Sequence, residues 1–158
     1  MKSFFALFLL FSFFTAAEVW SIDSDYRKKL DSLYKKSVPL ITASELKGKT
    51  ENGEALHILD TREWEEYRVS RRWQARYVGY KNFNPALIND IPLDSLVIVY
   101  CSVGYRSEKI GEKLYRLGYT RIFNLYGGIF EWINLGYPVY SYEGAVTTAI
   151  HGYSRKWS

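Results

Sequence analysis

The hydrophobic and polar positions of the chain alternate between two kinds of segment. Short apolar runs predict strands, and segments with apolar residues three or four positions apart predict helices. The clearest strand is Leu96–Tyr100, a continuous apolar and aromatic run of the kind expected when both faces are buried. The clearest helix follows it, with Ile110, Leu114 and Leu117 at helical spacing and Gly118 as its end.

The same patterns predict the other elements and their arrangement. Strands are predicted for residues 38–41, 57–60, 75–80 and 121–126, and helices for residues 21–36, 61–67, 84–89 and 129–135, with a brief helix after the capping box at residues 42–45. Because short strands alternate with helices, we predict an α/β fold of three layers, in which helices flank a mostly parallel central sheet. Ligands of such sheets bind beyond the carboxyl ends of the strands, where Asp60 and Cys101 both lie.

The N-terminal segment has a different composition from the rest of the chain. Lys2 precedes an apolar stretch at residues 3–14, and small residues allow cleavage after Ala17. This pattern is typical of a secretory signal peptide and is short for a membrane span; the alternative is an uncleaved anchor. We therefore expect an exported protein that works in the periplasm or another extracytoplasmic compartment. The predicted organisation is a signal peptide at 1–17, a helical extension at 18–37, a main domain at 38–140 and a tail at 141–158.

Composition and charge restrict the function further. The chain has 158 residues, 47% of them hydrophobic, which is enough for one globular domain. Its net charge of +4 comes from basic residues interspersed with acidic ones, a pattern that does not indicate nucleic-acid binding. We expect a monomer that does not bind a membrane once the signal peptide is removed.

The chain has a single cysteine, Cys101, at the start of a loop between the clearest strand and the clearest helix. A lone thiol in an exported protein forms no intramolecular disulfide, so it is either buried and inert or kept for its chemistry. Gly104 allows the loop to turn its N–H groups inward as an anion cradle at a helix N-terminus. The same field, with Arg106 nearby, favours a thiolate. The alternative is a cysteine that only fills space at the end of a strand.

Four segments of the chain together resemble the rhodanese-like sulfurtransferases. YCSVGYRS is similar to the family's active-site loop, C-x-x-G-x-R-S after a buried strand, and ILDTREWEEY resembles its L-D-x-R-x-x-x-E-Y segment. LGYTRIFNLYGGIFEW resembles its G-Y/F-x-x-V/I-x-x-L-x-G-G-I/M-x-x-W segment, and residues 136–139 resemble its usual ending. The resemblance covers about residues 38–140 and implies the rhodanese-like fold.

The resemblance implies a persulfide mechanism that needs no metal or cofactor. Cys101 is the implied nucleophile: it would take sulfur from a small anionic donor such as thiosulfate and pass it to a thiol, a protein or cyanide. The implied substrate-binding residues are those of the loop, Ser102, Val103, Gly104, Tyr105 and Arg106. Asp60, Arg62 and Ser107 are implied as supporting residues; a helix-capping acid and a surface arginine are the alternative interpretations of the first two.

Two other functions are compatible with the same residues. One is a non-catalytic binding module that reuses the fold to dock a partner, and the other is an envelope thiol-relay protein that forms mixed disulfides through Cys101. Phosphatase chemistry is disfavoured, because phosphatase relatives resemble C-x5-R, whereas four residues separate Cys101 from Arg106 here.

One segment departs from the family pattern. Where the family commonly has G-H-I/L-x-G-A, this chain has SRRWQA, with Arg71 at the histidine position. Arg71, Arg72 and Arg76 are expected to add positive charge, and Tyr105 an aromatic ring, that bias the choice of donor or partner.

Overall fold

A computed structural model of the protein describes residues 24–152. The predicted signal peptide and the last residues of the tail, 153–158, lie outside the described residues. From residue 24 to residue 152, no helix combines the length and the hydrophobicity that a membrane crossing requires.

The chain forms helices and strands that alternate as the sequence predicts. In chain order they are α1 (Ser24–Leu33), β1 (Leu40–Ile41), α2 (Ala43–Glu51), β2 (His57–Asp60), α3 (Trp64–Val69), β3 (Arg76–Tyr77), a 3-10 helix (Pro85–Ile88), β4 (Leu96–Tyr100), α4 (Tyr105–Arg116), β5 (Arg121–Leu125), α5 (Gly128–Asn134), β6 (Val139–Tyr140) and β7 (Val146–Thr147). Strands β1 to β5 form one sheet in the order β1-β5-β4-β2-β3. All its neighbouring strands are parallel.

Helices cover both faces of this sheet, which confirms the predicted three-layer α/β fold. Along β4, Ile98 and Tyr100 pack in the layer that contains α2 and α5. Val97 and Val99 pack in the opposite layer, against α4. Because successive side chains of a strand point to opposite faces, both sides of β4 are buried, and its sequence is apolar throughout.

Helix α1 is shorter than the sequence predicts, because a buried carboxylate binds the chain beyond it. Glu108 of α4 accepts hydrogen bonds from the backbone N–H groups of Lys35 (3.0 Å) and Ser37 (2.9 Å). Lys36, between them, has a φ of 56°, a left-handed conformation that no α-helix contains. The helix therefore ends at Leu33 instead of residue 36.

Helix α3 begins later than predicted, because the preceding residues are bonded to the end of β4. The backbone N–H and the hydroxyl of Thr61 both donate to the carbonyl of Tyr100, at 2.9 and 3.0 Å. Glu63 then caps the helix, and its N–H donates to the Glu66 carboxylate at 3.1 Å.

The strand predicted at residues 75–80 is shorter in the structure. It is reduced to β3, two residues at the edge of the sheet.

The segment after Tyr140, predicted as a tail without a clear pattern, contains a strand. Strands β6 and β7 pair as an antiparallel hairpin, and the backbone of Arg71 exchanges two hydrogen bonds of 2.8 Å with Tyr140. Two-residue strands are too short to show the alternation that predicts a strand, so the sequence does not reveal this hairpin.

We predict that Glu108→Gln lowers the free energy of unfolding by about 1–3 kcal/mol, because one backbone N–H of the segment after α1 then faces an amide nitrogen and loses its acceptor. Glu112→Gln is the matched control. Glu112 lies one turn further along α4, half-buried, and accepts from the side chains of Ser37 and Lys109. Glu112→Gln should change the free energy of unfolding by less than about 0.5 kcal/mol. Urea unfolding measures both values, and equal losses would contradict the role given to Glu108.

Candidate active site

Cys101 lies at the carboxyl end of β4, and the loop that it begins leads directly into α4. The side chain is almost fully buried, and the backbone N–H of Gly104 donates to its Sγ atom at 3.1 Å. Gly104 has a φ of 95°, a left-handed conformation that favours glycine. The first N–H groups of α4 have no acceptor within the helix, so the positive end of the helix dipole lies at the loop.

Arg106 holds the loop through a buried carboxylate. Its Nη1 and Nη2 atoms each donate to one oxygen of Glu66 at 2.7 Å, and Nη2 also donates to the Ser102 hydroxyl at 2.9 Å. That hydroxyl donates to Glu66 at 2.8 Å. Burial raises the pKa of Glu66, but the hydrogen bonds and charge of Arg106 outweigh burial and hold this pKa below its ordinary value. The charge of Arg106 is therefore offset inside the protein.

Glu66 is a site residue that the sequence patterns above do not single out, although it occupies the glutamate position of the L-D-x-R-x-x-x-E-Y segment. That position, one turn into the helix after β2, is the signal that could have identified it.

Asp60 and Arg62 form a second buried ion pair next to the loop. Both side chains are fully buried, and Nε and Nη2 of Arg62 donate to the two carboxylate oxygens of Asp60 at 2.9 and 2.6 Å. The hydroxyl of Tyr100, the residue before Cys101, also donates to Asp60. Burial lowers the pKa of Arg62, but the charge and hydrogen bonds of Asp60 outweigh it, so the pKa is raised. Arg62 is thus not a surface arginine, and the residue that caps α3 is Glu63.

Ser107 supports the loop through Asn124, a buried polar residue of β5. The Ser107 hydroxyl donates to Oδ1 of Asn124 at 2.7 Å, and Nδ2 of Asn124 donates to the carbonyl of Gly104 at 2.9 Å. The sequence patterns above do not single out Asn124. The available signal is a single amide among the apolar residues 122–125, because a buried amide requires hydrogen-bond partners.

The turn between β5 and α5 packs directly against the loop. The N–H groups of Ile129 and Phe130 donate to the carbonyls of Cys101 (2.9 Å) and Ser102 (3.2 Å). Gly128 has a φ of 59°, and a Cβ atom there would overlap the Cys101 carbonyl. Gly128 is therefore needed because two backbone segments approach closely there.

Helix α1 covers the other side of the loop. The Tyr34 hydroxyl donates to the carbonyl of Val103 at 2.6 Å and accepts the N–H of Gly127 at 2.9 Å. Its ring fills the space that a side chain at residue 104 would occupy. Burial raises the pKa of Tyr34, more than the Gly127 hydrogen bond lowers it, so the hydroxyl stays protonated and can donate. Tyr34 also packs with Leu30 and Val103 in one hydrophobic cluster.

A cavity of about 180 Å³ opens at Cys101. Four of the predicted substrate-binding residues line it with the cysteine, namely Ser102, Val103, Tyr105 and Arg106, whereas Gly104 contributes its backbone N–H to Sγ. Leu33 of α1 and Tyr80 complete the lining. These two come from distant parts of the sequence, and no local pattern predicts their place here.

The three arginines of the SRRWQA region lie away from this cavity. The Arg71 guanidinium lies 5.1 and 5.2 Å from the centroids of two tyrosine rings. Arg72 is buried 3.7 Å from the ring centroid of Trp132, and this burial lowers its pKa to about 10. Arg76 pairs with the carboxylate of Asp90. The positive charge expected from these residues therefore does not reach the lining of the cavity.

Residues 42–135 match the Rhodanese-like domain family. Since this is more than half of the chain, the protein belongs to that family, as the resemblance of its motifs predicts. The fold and the cysteine loop at the end of β4 agree with this assignment.

The chain is similar to proteins that are named for different activities. A sulfurtransferase of Allochromatium vinosum is 40% identical over 60 residues, which are 38% of this chain and 56% of that protein. A tRNA uridine(34) hydroxylase of Bdellovibrio bacteriovorus is 33% identical over 91 residues, which are 55% of this chain and 26% of that protein. The chain thus spans about half of the first relative and about a quarter of the second.

Solved structures support the fold. The crystal structure of a Bacillus halodurans protein matches 84% of this chain and 93% of its own, with a TM-score of 0.66 and 22% identity. At that identity the likeness concerns the fold alone, so the reaction has to be argued from the site.

We predict that Gly128→Ala lowers the free energy of unfolding by about 2 kcal/mol or more, because a left-handed backbone and an overlap with Cys101 both oppose the new methyl group. Gly48→Ala is the matched control, since a Cβ atom at Gly48 of α2 meets open space. Alanine in a helix interior should raise the free energy of unfolding by about 0.5–1 kcal/mol. Thermal or urea unfolding of both variants tests this, and changes of the same sign would be evidence against close packing at Gly128.

We predict that Glu66→Gln lowers the free energy of unfolding at neutral pH by about 3 kcal/mol, because the buried charge of Arg106 then faces a neutral amide in place of a carboxylate. The folded pKa of Glu66 lies below its ordinary value of 4.5. Wild type therefore keeps this stabilisation above pH 4.5 and loses it as the pH falls through the folded pKa. The difference between wild type and variant, measured by urea unfolding, should shrink on acidification. A difference that is constant across the acidic range would show that the pair does not act as described.

Proposed function

We propose that this protein is an exported sulfurtransferase that carries sulfane sulfur as a persulfide on Cys101. The observation that carries the proposal is the position of the thiol: it lines a cavity at the N-terminus of α4 and accepts the N–H of Gly104 at 3.1 Å. Membership of the rhodanese-like family and the Allochromatium vinosum sulfurtransferase support it. The support for export is the apolar N-terminal sequence.

The reaction proceeds by two displacements at sulfur. The Cys101 thiolate attacks the outer sulfur of an anionic sulfane donor, of which thiosulfate is the simplest. A new S–S bond forms, the donor's S–S bond breaks, and its electron pair leaves on sulfite. A thiolate acceptor then attacks the outer sulfur of the persulfide and restores the Cys101 thiolate, so no external oxidant or reductant is needed.

The residues around Cys101 are preorganised to stabilise a negative charge on its sulfur. The Gly104 N–H and the positive end of α4 stabilise negative charge on the thiolate and then on the persulfide. Arg106 acts mainly on the loop, because both of its terminal nitrogens bind Glu66 and one also binds Ser102. Asp60, Arg62 and Ser107 hold the strand ends and the helix start around the cysteine.

A binding module without catalysis is the second candidate, favoured by the burial of Cys101, whose exposed fraction is 1%. A buried thiol that never reacts would serve the fold only. The cavity at Cys101 argues for the enzyme, because it gives a small donor access to the sulfur without unfolding the loop.

We predict that wild-type protein incubated with thiosulfate gains one sulfur atom, that cyanide removes this atom again, and that Cys101→Ser gains none. Intact-mass measurement detects each state. Cys101→Ser is a suitable control because it changes one atom, replacing the nucleophilic sulfur by an oxygen that cannot form a persulfide. If neither thiosulfate nor an organic sulfane donor adds sulfur to wild type, the binding module is the better account. Mixed disulfides without sulfur loading would favour a thiol relay.

A further inference from the structure

We propose that the cavity at Cys101 selects organic sulfane donors that carry their sulfur on a compact apolar group, in preference to the inorganic dianion thiosulfate, and that Leu33 of α1 determines this preference. The inference rests on the proposed function, since it names the substrate class of the same site. Its occupant is a small molecule, because 180 Å³ is too small a space for a folded partner.

The charge of the lining disfavours a dianion. Arg106 is the only charged residue among those that line the cavity in the described part of the chain. Both of its terminal nitrogens lie 2.7 Å from the carboxylate of Glu66, so the two charges offset each other. An anion that enters the cavity gives up its hydration, and the lining offers no unpaired cation that would compensate for this. The free-energy cost of the dehydration grows with the charge of the anion.

The shape and chemistry of the lining favour an apolar group. Leu33, Tyr80, Val103 and Tyr105 surround the approach to the sulfur, and Tyr105 remains 44% exposed. A cavity of 180 Å³ is close to the roughly 150 Å³ of an apolar protein cavity that binds benzene. Water in such a cavity is readily displaced by a ring of that size.

Leu33 is held in place by the hydrogen bonds of the residues that follow it. The next residue, Tyr34, is bonded to Val103 and Gly127, and the N–H groups of Lys35 and Ser37 are bonded to Glu108. Helix α1 is therefore a fixed wall of the cavity. Since α1 precedes residues 42–135, the family match does not include this wall.

The test compares three donors that react in the same way. Benzenethiosulfonate, methanethiosulfonate and thiosulfate each present an outer sulfur to the Cys101 thiolate and release benzenesulfinate, methanesulfinate and sulfite with the electron pair of the broken S–S bond. The rate constant for sulfur loading of the full chain is followed by intact mass. Each value is divided by the rate constant of the same donor with a small free thiolate, which removes differences in intrinsic reactivity.

We expect the normalised rate constant to be at least about tenfold higher for benzenethiosulfonate than for methanethiosulfonate, the size of effect that small apolar groups produce in apolar pockets. Thiosulfate should be the slowest of the three. Leu33→Ala should remove most of the preference for the ring, and Leu33→Lys should raise the rate with thiosulfate relative to both thiosulfonates.

Two further variants separate selectivity from folding. Leu33→Met keeps the volume and hydrophobicity of the wall and should keep the preference. Leu117→Ala removes a leucine that is 42% exposed beyond α4 and outside the cavity, and it should leave all three ratios unchanged.

The outcomes distinguish this inference from the proposed function. Sulfur loading by all donors, with equal normalised rates for the two thiosulfonates or with thiosulfate preferred, overturns the inference and leaves the sulfurtransferase intact. A preference that survives in Leu33→Ala removes the role of α1. Loading by no donor overturns the proposed function and the inference together.

Discussion

The Glu66 carboxylate joins three separate segments around the cysteine loop. It accepts from the backbone of Glu63, where α3 begins, from the hydroxyl of Ser102 within the loop, and from the guanidinium of Arg106 in α4. Each contact satisfies a polar group that burial would otherwise leave without a partner, and an unpaired buried charge is far more costly than an unpaired neutral group. The shape of the loop, and hence the position of the thiol, depends on this carboxylate remaining ionised.

The polar groups at the carboxyl edge of the sheet are hydrogen-bonded to groups on neighbouring strands and on the loop. Asp60 and Tyr100 are register partners on β2 and β4, and their side chains bond to each other beside the Asp60–Arg62 ion pair. Asn124 lies on the neighbouring strand, β5, and its side-chain amide forms hydrogen bonds with Ser107 and Gly104. An apolar sheet thus ends in polar groups that are hydrogen-bonded to one another, and these bonds hold the loop that begins at Cys101.

Much of this architecture could be predicted because it depends on local sequence. The continuous apolar run of β4 and the spacing of Ile110 and Leu114 each reflect a constraint that lies within a few residues of the pattern. The same holds for Cys101, whose loop motif and position after a buried strand are adjacent in the chain.

The remainder depends on contacts between residues far apart in sequence. Nothing local indicates that Glu108 binds the backbone beyond α1, that Tyr34 reaches Val103, or that Leu33 lines the cavity. For the arginines of the SRRWQA region, the sequence shows the charge but not the position. Aromatic rings and Asp90 hold these side chains away from the cavity. Sequence patterns report which face of an element is buried, and they do not report which distant side chain covers it.

The bond between Tyr34 and the loop also has a consequence for the order of folding. Tyr34 is separated from Val103 by 69 residues and from Gly127 by 93, so both partners are synthesised long after α1. During synthesis, the thiol at residue 101 exists before α4 and before the turn that precedes α5, and its surroundings are complete only once that turn has joined the sheet. Contacts of such long range form late in folding. The environment of the cysteine is therefore a property of the finished chain and is completed only when these distant segments have packed together.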